Sequence, residues 1–193
     1  MSGLVILTLG LAYLIGSIPF AYLVTYHLRR VDIRTLGDGN PGGKNVFHQV
    51  SPLAGILVTL LDIGKGMAAI FLAQALGLSD IALLWVGVAV IAGHNWSIFL
   101  QLHGGQGMAT TVGVFFALMP AQTLTAILII AVMLLVLHNW DLACAIGFGS
   151  LPLLEWWTHQ RTELIVYTIA LLPLIGIRKW MQQGSPLPGI LAR

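Results

Sequence analysis

"MATTVGVFFALMPAQTLTAILIIAVMLLVL", residues 108–137, holds no charged side chain and a single proline, Pro120. A helix needs about 20 apolar residues to cross the hydrocarbon core of a bilayer. This run is too long for one crossing, and a proline inside a helix removes a backbone donor and clashes with the preceding turn. Left whole, the stretch gives a chain of six crossings. Broken at Pro120, it gives seven.

The composition places the chain in a membrane. Its 193 residues are 58% hydrophobic and 8% charged, with a mean hydropathy of +0.91, whereas soluble domains carry about 25% charged residues. Apolar runs at 3–27, 52–77, 81–100, 141–157 and 163–180 read as further spans. Basic residues favour cytoplasmic loops. Arg29, Arg30, Arg34 and Lys44 follow the first run. With seven crossings Arg178, Lys179 and Arg193 join them, leaving Arg161 on the other side and Lys65 inside a span.

The expectation is therefore an all-α polytopic bundle of about seven transmembrane helices, with the N-terminus outside and the C-terminus cytoplasmic. Residues 108–119 form a short helix before a turn at Pro120, residues 1–180 one transmembrane domain, and 181–193 a tail. The start lacks the basic n-region of a signal peptide, so the first helix is expected to stay. The net charge of +2 gives no footing for nucleic acid. Cys144 is the one cysteine, so no internal disulfide forms.

On the side shared by the arginines lie two unusual loops, "GDGNPGGKNVFHQV" at 37–50 and "HGGQG" at 103–107. Each leads into a helix, the first through Ser51 as N-cap and Pro52 at the first helical position. Glycine allows successive backbone N–H groups to converge, and a helix N-terminus adds partial positive charge, which together suit phosphate or carboxylate. The first loop is not a nucleotide P-loop, because Asp38 stands where that motif needs glycine and Asn45 where it needs Ser or Thr. Asn40, Lys44, Asn45, His48, His94 and Thr110 flank the two loops. Asp62 and Lys65, spaced i, i+3 within a span, are close enough to pair and would present Lys65 to the same polar region. The histidines, at 27, 48, 94, 103, 138 and 159, offer no i, i+4 pair and no thiolate companion, so no metal site is expected.

"GSIPFAYLV", "GNPGGKN", "LLDIGKG" and "GHNWSIFLQLHGGQGMAT" together resemble the bacterial acyl-phosphate-dependent glycerol-3-phosphate acyltransferases, colinearly over about residues 10 to 120. The resemblance implies a seven-helix enzyme of the bacterial cytoplasmic membrane with a cytoplasmic active site. It implies transfer of a fatty acyl chain from acyl phosphate to glycerol 3-phosphate, giving lysophosphatidic acid for phospholipid synthesis, with no cofactor. Substrate and phosphate contacts would fall on Asn40, Gly42, Lys44, Asn45, His48 and Lys65, and on Gly104, Gly105, Gln106, Gly107 and Thr110. In the family the donor's own phosphate is thought to help remove the acceptor's proton; a protein base here, His94 or Asp38, would be a change from that pattern.

The chain also departs from the family pattern. The first loop usually reads S-G-N-x-G-A-T-N-x-x-R, and here Asp38, Lys44 and His48 replace the serine, threonine and arginine. The second reads G-G-K-G, and Gln106 replaces its lysine. The family's C-terminal R-H-x-x-N has no matching His and Asn in "GIRKWMQQG". The family's two cations thus give way to Lys44 and Asp38, whose charges cancel, and a phosphate monoester carries about −1.5 to −2. Three readings follow: an acyltransferase with altered substrate preference or a related polar acceptor, a family member that binds lipid or a partner without catalysis, and a small transporter with paired re-entrant loops.

Overall fold

The computed structural model describes residues 3–158 and 161–183, apart from the side chains of Leu174 and of residues 179–183. The tail from 184 on, the side chain of Lys179, and the residues Arg193 and His159 lie outside the described residues. Among the described residues there is helix and loop and no strand. Four segments are long and apolar enough to cross a membrane, Gly3–Arg29, Pro52–Ala75, Asp80–Leu100 and Pro120–Leu137, and Met108–Leu118 is a shorter apolar helix.

The chain forms two compact units, one of residues up to Val114 together with those from Ile177 on, the other Phe115–Gly176. In the first, α1 (Gly3–Ser17) and α2 (Phe20–Arg29) precede a 3-10 turn at Ile33–Thr35, α3 (Gly43–Gln49), α4 (Pro52–Ala75) and α5 (Asp80–Asn95). A second 3-10 turn, Ile98–Leu100, leads to α6 (Met108–Leu118). Small residues set the close crossings, as expected where lipid gives helices no hydrophobic drive to associate. Gly16 lies against the Val90 carbonyl and Gly93 against that of Tyr13, bringing α1 onto α5. Gly66 meets the Thr110 carbonyl and Gly113 that of Ile63, bringing α4 onto α6. Ala21, Ile33, Val46, Val50, Ala54 and Val58 form a buried core beneath the first glycine-rich loop.

The second unit contains α7 (Pro120–Leu137), α8 (Trp140–Gly149), α9 (Leu151–Thr158) and most of α10 (Thr162–Gln183). Gly147 seats α8 against the Ala126 carbonyl of α7. Glu155, fully buried, takes the Arg161 Nε–H at 3.0 Å, while Arg161 Nη2 donates to the Leu118 carbonyl at 3.2 Å.

The break before Pro120 and the Ser51 cap both occur: Ser51 Oγ accepts the Ala54 N–H at 3.2 Å, and Pro52 opens α4. Three features differ from the expected spans. The first apolar run is two helices, because Pro19 has no N–H to continue the ladder of α1. The run at 141–157 is also two helices, parted at Ser150 with Pro152 in the first turn of α9. The first glycine-rich loop contains the short α3 (Gly43–Gln49), which ends just before the Ser51 cap of α4.

Candidate active site

The first loop is stapled from within. Asn45, 3% exposed, donates through Nδ2 to the carbonyls of Ile33, Leu36 and Asn40, at 3.3, 2.9 and 3.1 Å. Gly37 and Gly39 turn the chain at φ +56° and +72°, a region open to glycine at little steric cost. Asp38 is exposed and accepts the Asn40 N–H through Oδ1 at 3.0 Å. Gly42 precedes α3 as its N-cap, and Lys44 and His48, four residues apart on that helix, are both exposed.

Asp32 caps the 3-10 turn and grips the Arg34 guanidinium, with Nη2 to Oδ2 at 2.6 Å. Partial burial pushes the Asp32 carboxyl up, but hydrogen bonds from the Arg34 side chain and backbone outweigh it and hold it below the usual carboxylate range. Arg34 Nη1 also donates to the Leu100 carbonyl at 3.3 Å, tying the first loop to the second.

The second loop folds back on the end of α5. Gly105 N–H donates to the His94 carbonyl at 3.0 Å, and the Gly105 α-carbon faces His94 Nε2 with no room for a Cβ. Gly104 lies against the His94 carbonyl, and Gly107, at φ +81°, against Asn95 Oδ1. Gln106 is half-buried and Thr110 fully buried in the first turn of α6. Arg178, on α10, donates to the carbonyls of Asn95 at 2.8 Å and Gly104 at 3.3 Å, and lies over the Trp96 ring at 5.4 Å.

Beneath this loop Lys65 Nζ sits 2.8 Å from Asp62 Oδ1, and His94 Nδ1 lies 3.6 Å from the same oxygen. All three side chains are buried. Lys65 also donates to the Ile18 carbonyl at 3.0 Å, filling an acceptor freed by the break between α1 and α2. Ser97 Oγ does the same for the Ser17 carbonyl at 2.5 Å. These residues surround a small cavity lined by Ser17, Ile18, Phe20, Asp62, Lys65, His94, Gly104 and Gly105.

Of the residues singled out in the sequence, the structure brings Lys65, His94, Gly104 and Gly105 to this cavity. Gln106, Gly107 and Thr110 continue the loop into α6, while Asp38, Lys44 and His48 are on the exposed side of the first loop and Asn40, Gly42 and Asn45 build it. Ser17, Arg34, Asn95 and Arg178 were not anticipated. Pro19, two residues after Ser17, was the available signal for the helix break. Nothing local marked Arg178, which reaches its partners across more than 70 residues. Among the described residues no three His, Cys, Asp or Glu side chains cluster to hold a metal ion.

Residues 6–183 match the model of the glycerol-3-phosphate acyltransferase family. The chain belongs to that family. It is 38% identical to a glycerol-3-phosphate acyltransferase of Desulforamulus reducens, covering 82% of this chain and 79% of that one. It is also 38% identical to that of Endomicrobium trichonymphae, covering 90% and 87%, and to that of Neisseria gonorrhoeae, covering 88% and 86%. The fold matches a crystal structure of PlsY (YgiH), an integral membrane glycerol 3-phosphate acyltransferase, in its glycerol 3-phosphate form. The TM-score is 0.85 at 30% identity, covering 93% of this chain and 90% of that one. The lysophosphatidic acid form of the same enzyme matches with a TM-score of 0.82 at 28% identity, covering 91% and 88%. Together with the apolar helices, this makes the chain a multi-pass protein of the bacterial inner membrane.

Proposed function

We propose that this chain transfers a fatty acyl group from acyl phosphate to the hydroxyl of glycerol 3-phosphate on the cytoplasmic side of the membrane. The observation that carries the reading is the polar cavity enclosed by apolar helices, where a glycine loop closes over Lys65 and His94. The acceptor oxygen attacks the acyl carbonyl carbon, the bond from that carbon to the phosphate oxygen breaks, and the phosphate departs with the acceptor's proton. The N-terminus of α6 favours the negative charge that moves through this step.

The remaining assignments rest on the same reading. Seven crossings, with the N-terminus outside and the C-terminus cytoplasmic, put α3, both glycine loops and Arg178 on one side. Lys44 and His48 meet the acceptor phosphate from the aqueous side, with Gln106 completing its hydrogen bonding. His94 is the protein group nearest the proton's route within the cavity, whereas Asp38 spends one oxygen on the Asn40 N–H and shapes the first loop. The single transmembrane domain of residues 1–180 is proposed with the tail left outside catalysis.

Expression in a bacterium depleted of its own glycerol-3-phosphate acyltransferase tests the function. Rescue of growth supports acyl transfer. A protein that accumulates in the membrane but does not rescue favours the reading in which it binds lipid or a partner without catalysis.

A further inference from the structure

Ser17 lines the cavity without an ionic or catalytic partner. Ser17 is the last residue of α1 and 0% exposed. Its carbonyl is taken by Ser97 Oγ, but its own hydroxyl has no hydrogen-bond partner among the described residues. A buried hydroxyl left unpaired carries a desolvation cost of about 1–3 kcal/mol, so such a group beside a cavity marks a place where a ligand atom would be welcome.

The neighbours say which kind of atom. The ionic side chains lining the cavity are Lys65 and Asp62, paired at 2.8 Å, so their charges cancel. Lys65 gives one proton to the Ile18 carbonyl and holds its charge against Asp62. Arg178, the nearest further cation, has its Nη2 on the Asn95 and Gly104 carbonyls and does not itself line the cavity, so a phosphate dianion would find no surplus cation among the lining side chains, and burying an unpaired charge is strongly unfavourable. A neutral carbonyl oxygen needs only a donor. Ile18, Phe20 and Leu100 supply apolar wall around that donor.

We propose that Ser17 is a catalytic residue whose hydroxyl donates to the carbonyl oxygen of the acyl donor and to the oxyanion formed when the acceptor attacks. The inference rests on the acyl-transfer reading and deepens it: the cavity takes the carbonyl, and the phosphates stay at the glycine loops and α3. In the step, the acceptor oxygen bonds to the carbonyl carbon and the carbonyl electron pair moves onto its oxygen, facing Ser17. That pair returns as the bond to the phosphate oxygen breaks, and the phosphate leaves carrying the acceptor's proton. Ser17 neither gains nor loses a proton overall.

The test uses the full chain in lipid nanodiscs, unmodified and as Ser17→Ala and Ser17→Cys, with two stable donor analogues of equal chain length. One is a 2-oxoalkyl phosphonate, which keeps the carbonyl; the other is the alkyl phosphonate without it. Removing one oxyanion donor lowers kcat by roughly 100-fold, so Ser17→Ala should show a loss of that order with little change in KM for glycerol 3-phosphate. It should weaken the oxo analogue about 5- to 10-fold, the effect of one neutral hydrogen bond, and leave the plain phosphonate unchanged. Ser17→Cys, similar in size but a poor donor, should show the same selectivity. A kcat within 3-fold of the unmodified protein, or equal weakening of both analogues, overturns the proposal. Absence of transfer by the unmodified protein would instead count against the acyl-transfer reading, and the analogue comparison would still decide the carbonyl pocket.

Discussion

Replacing Asp62 by asparagine removes the one anion beside a buried cation. At an effective dielectric of about 20, charges at the observed 2.8 Å attract by about 6 kcal/mol, and desolvation cancels part of this. Breaking a buried pair by neutralising one partner typically loses about 3–5 kcal/mol, because the other charge is left uncompensated. The asparagine oxygen can still accept from Lys65, which returns about 1 kcal/mol. A net loss near 3 kcal/mol lowers the Tm by roughly 6–12 °C for a chain of this size. Thermal unfolding in detergent, followed by near-ultraviolet circular dichroism, measures it. The double variant Asp62→Asn/Lys65→Met removes the stranded cation and should recover at least half of the loss. Strictly additive losses in the double variant, or an Asp62→Asn Tm within 2 °C of the unmodified protein, would refute the buried pair as the lock between α4 and the α1–α2 break.

Gly105→Ala drives a Cβ into the His94 ring and should destabilise by about 1–3 kcal/mol while lowering kcat, both read on purified protein. Leu102→Gly should leave the Tm unchanged or raise it, because Leu102 has φ +65° and relief of about 1–2 kcal/mol there exceeds the usual glycine cost of about 0.5–1 kcal/mol. Asp32→Asn should destabilise most at neutral pH. The folded-state pKa of Asp32 is depressed, so its contribution is fully present above the ordinary carboxylate pKa near 4 and fades as pH falls through the lower folded value; Tm values of the two proteins should therefore converge in acid. Gln106→Lys restores a cation to the second glycine loop and should lower KM for glycerol 3-phosphate roughly 10-fold, the smaller end of a charge-assisted hydrogen bond.

Much of this was legible in local chemistry. Pro120 broke its run for the reason any proline does, Ser51 and Pro52 opened α4 through standard capping, and Asp62 met Lys65 because i, i+3 residues share a helix face. Paired glycine loops were readable as backbone meant to come close to something. What could not be read depended on contacts distant in sequence. Hydropathy is blind to the break at Ser17–Pro19, because the residues on either side remain apolar and the run simply continues. The acceptors for Lys65 and Ser97 exist only because that break frees two carbonyls. Arg178 likewise reads locally as a topogenic charge, and its place on the carbonyls of Asn95 and Gly104 is set by contacts more than 70 residues away. The exposure of Lys44 and His48 beside a buried Asn45 follows from how the short α3 packs on α4 through Gly43 and Gly55, which no periodicity in a glycine-rich stretch announces.

Acyl transfer by the purified protein in lipid tests the proposed function most directly. Palmitoyl phosphate labelled in its acyl chain would be supplied with glycerol 3-phosphate, and labelled lysophosphatidic acid and inorganic phosphate counted together. Acyl transfer gives the two products in equal amounts, and none when glycerol 3-phosphate is omitted. Folded protein that binds the acyl phosphate yet forms no labelled lysophosphatidic acid would contradict it.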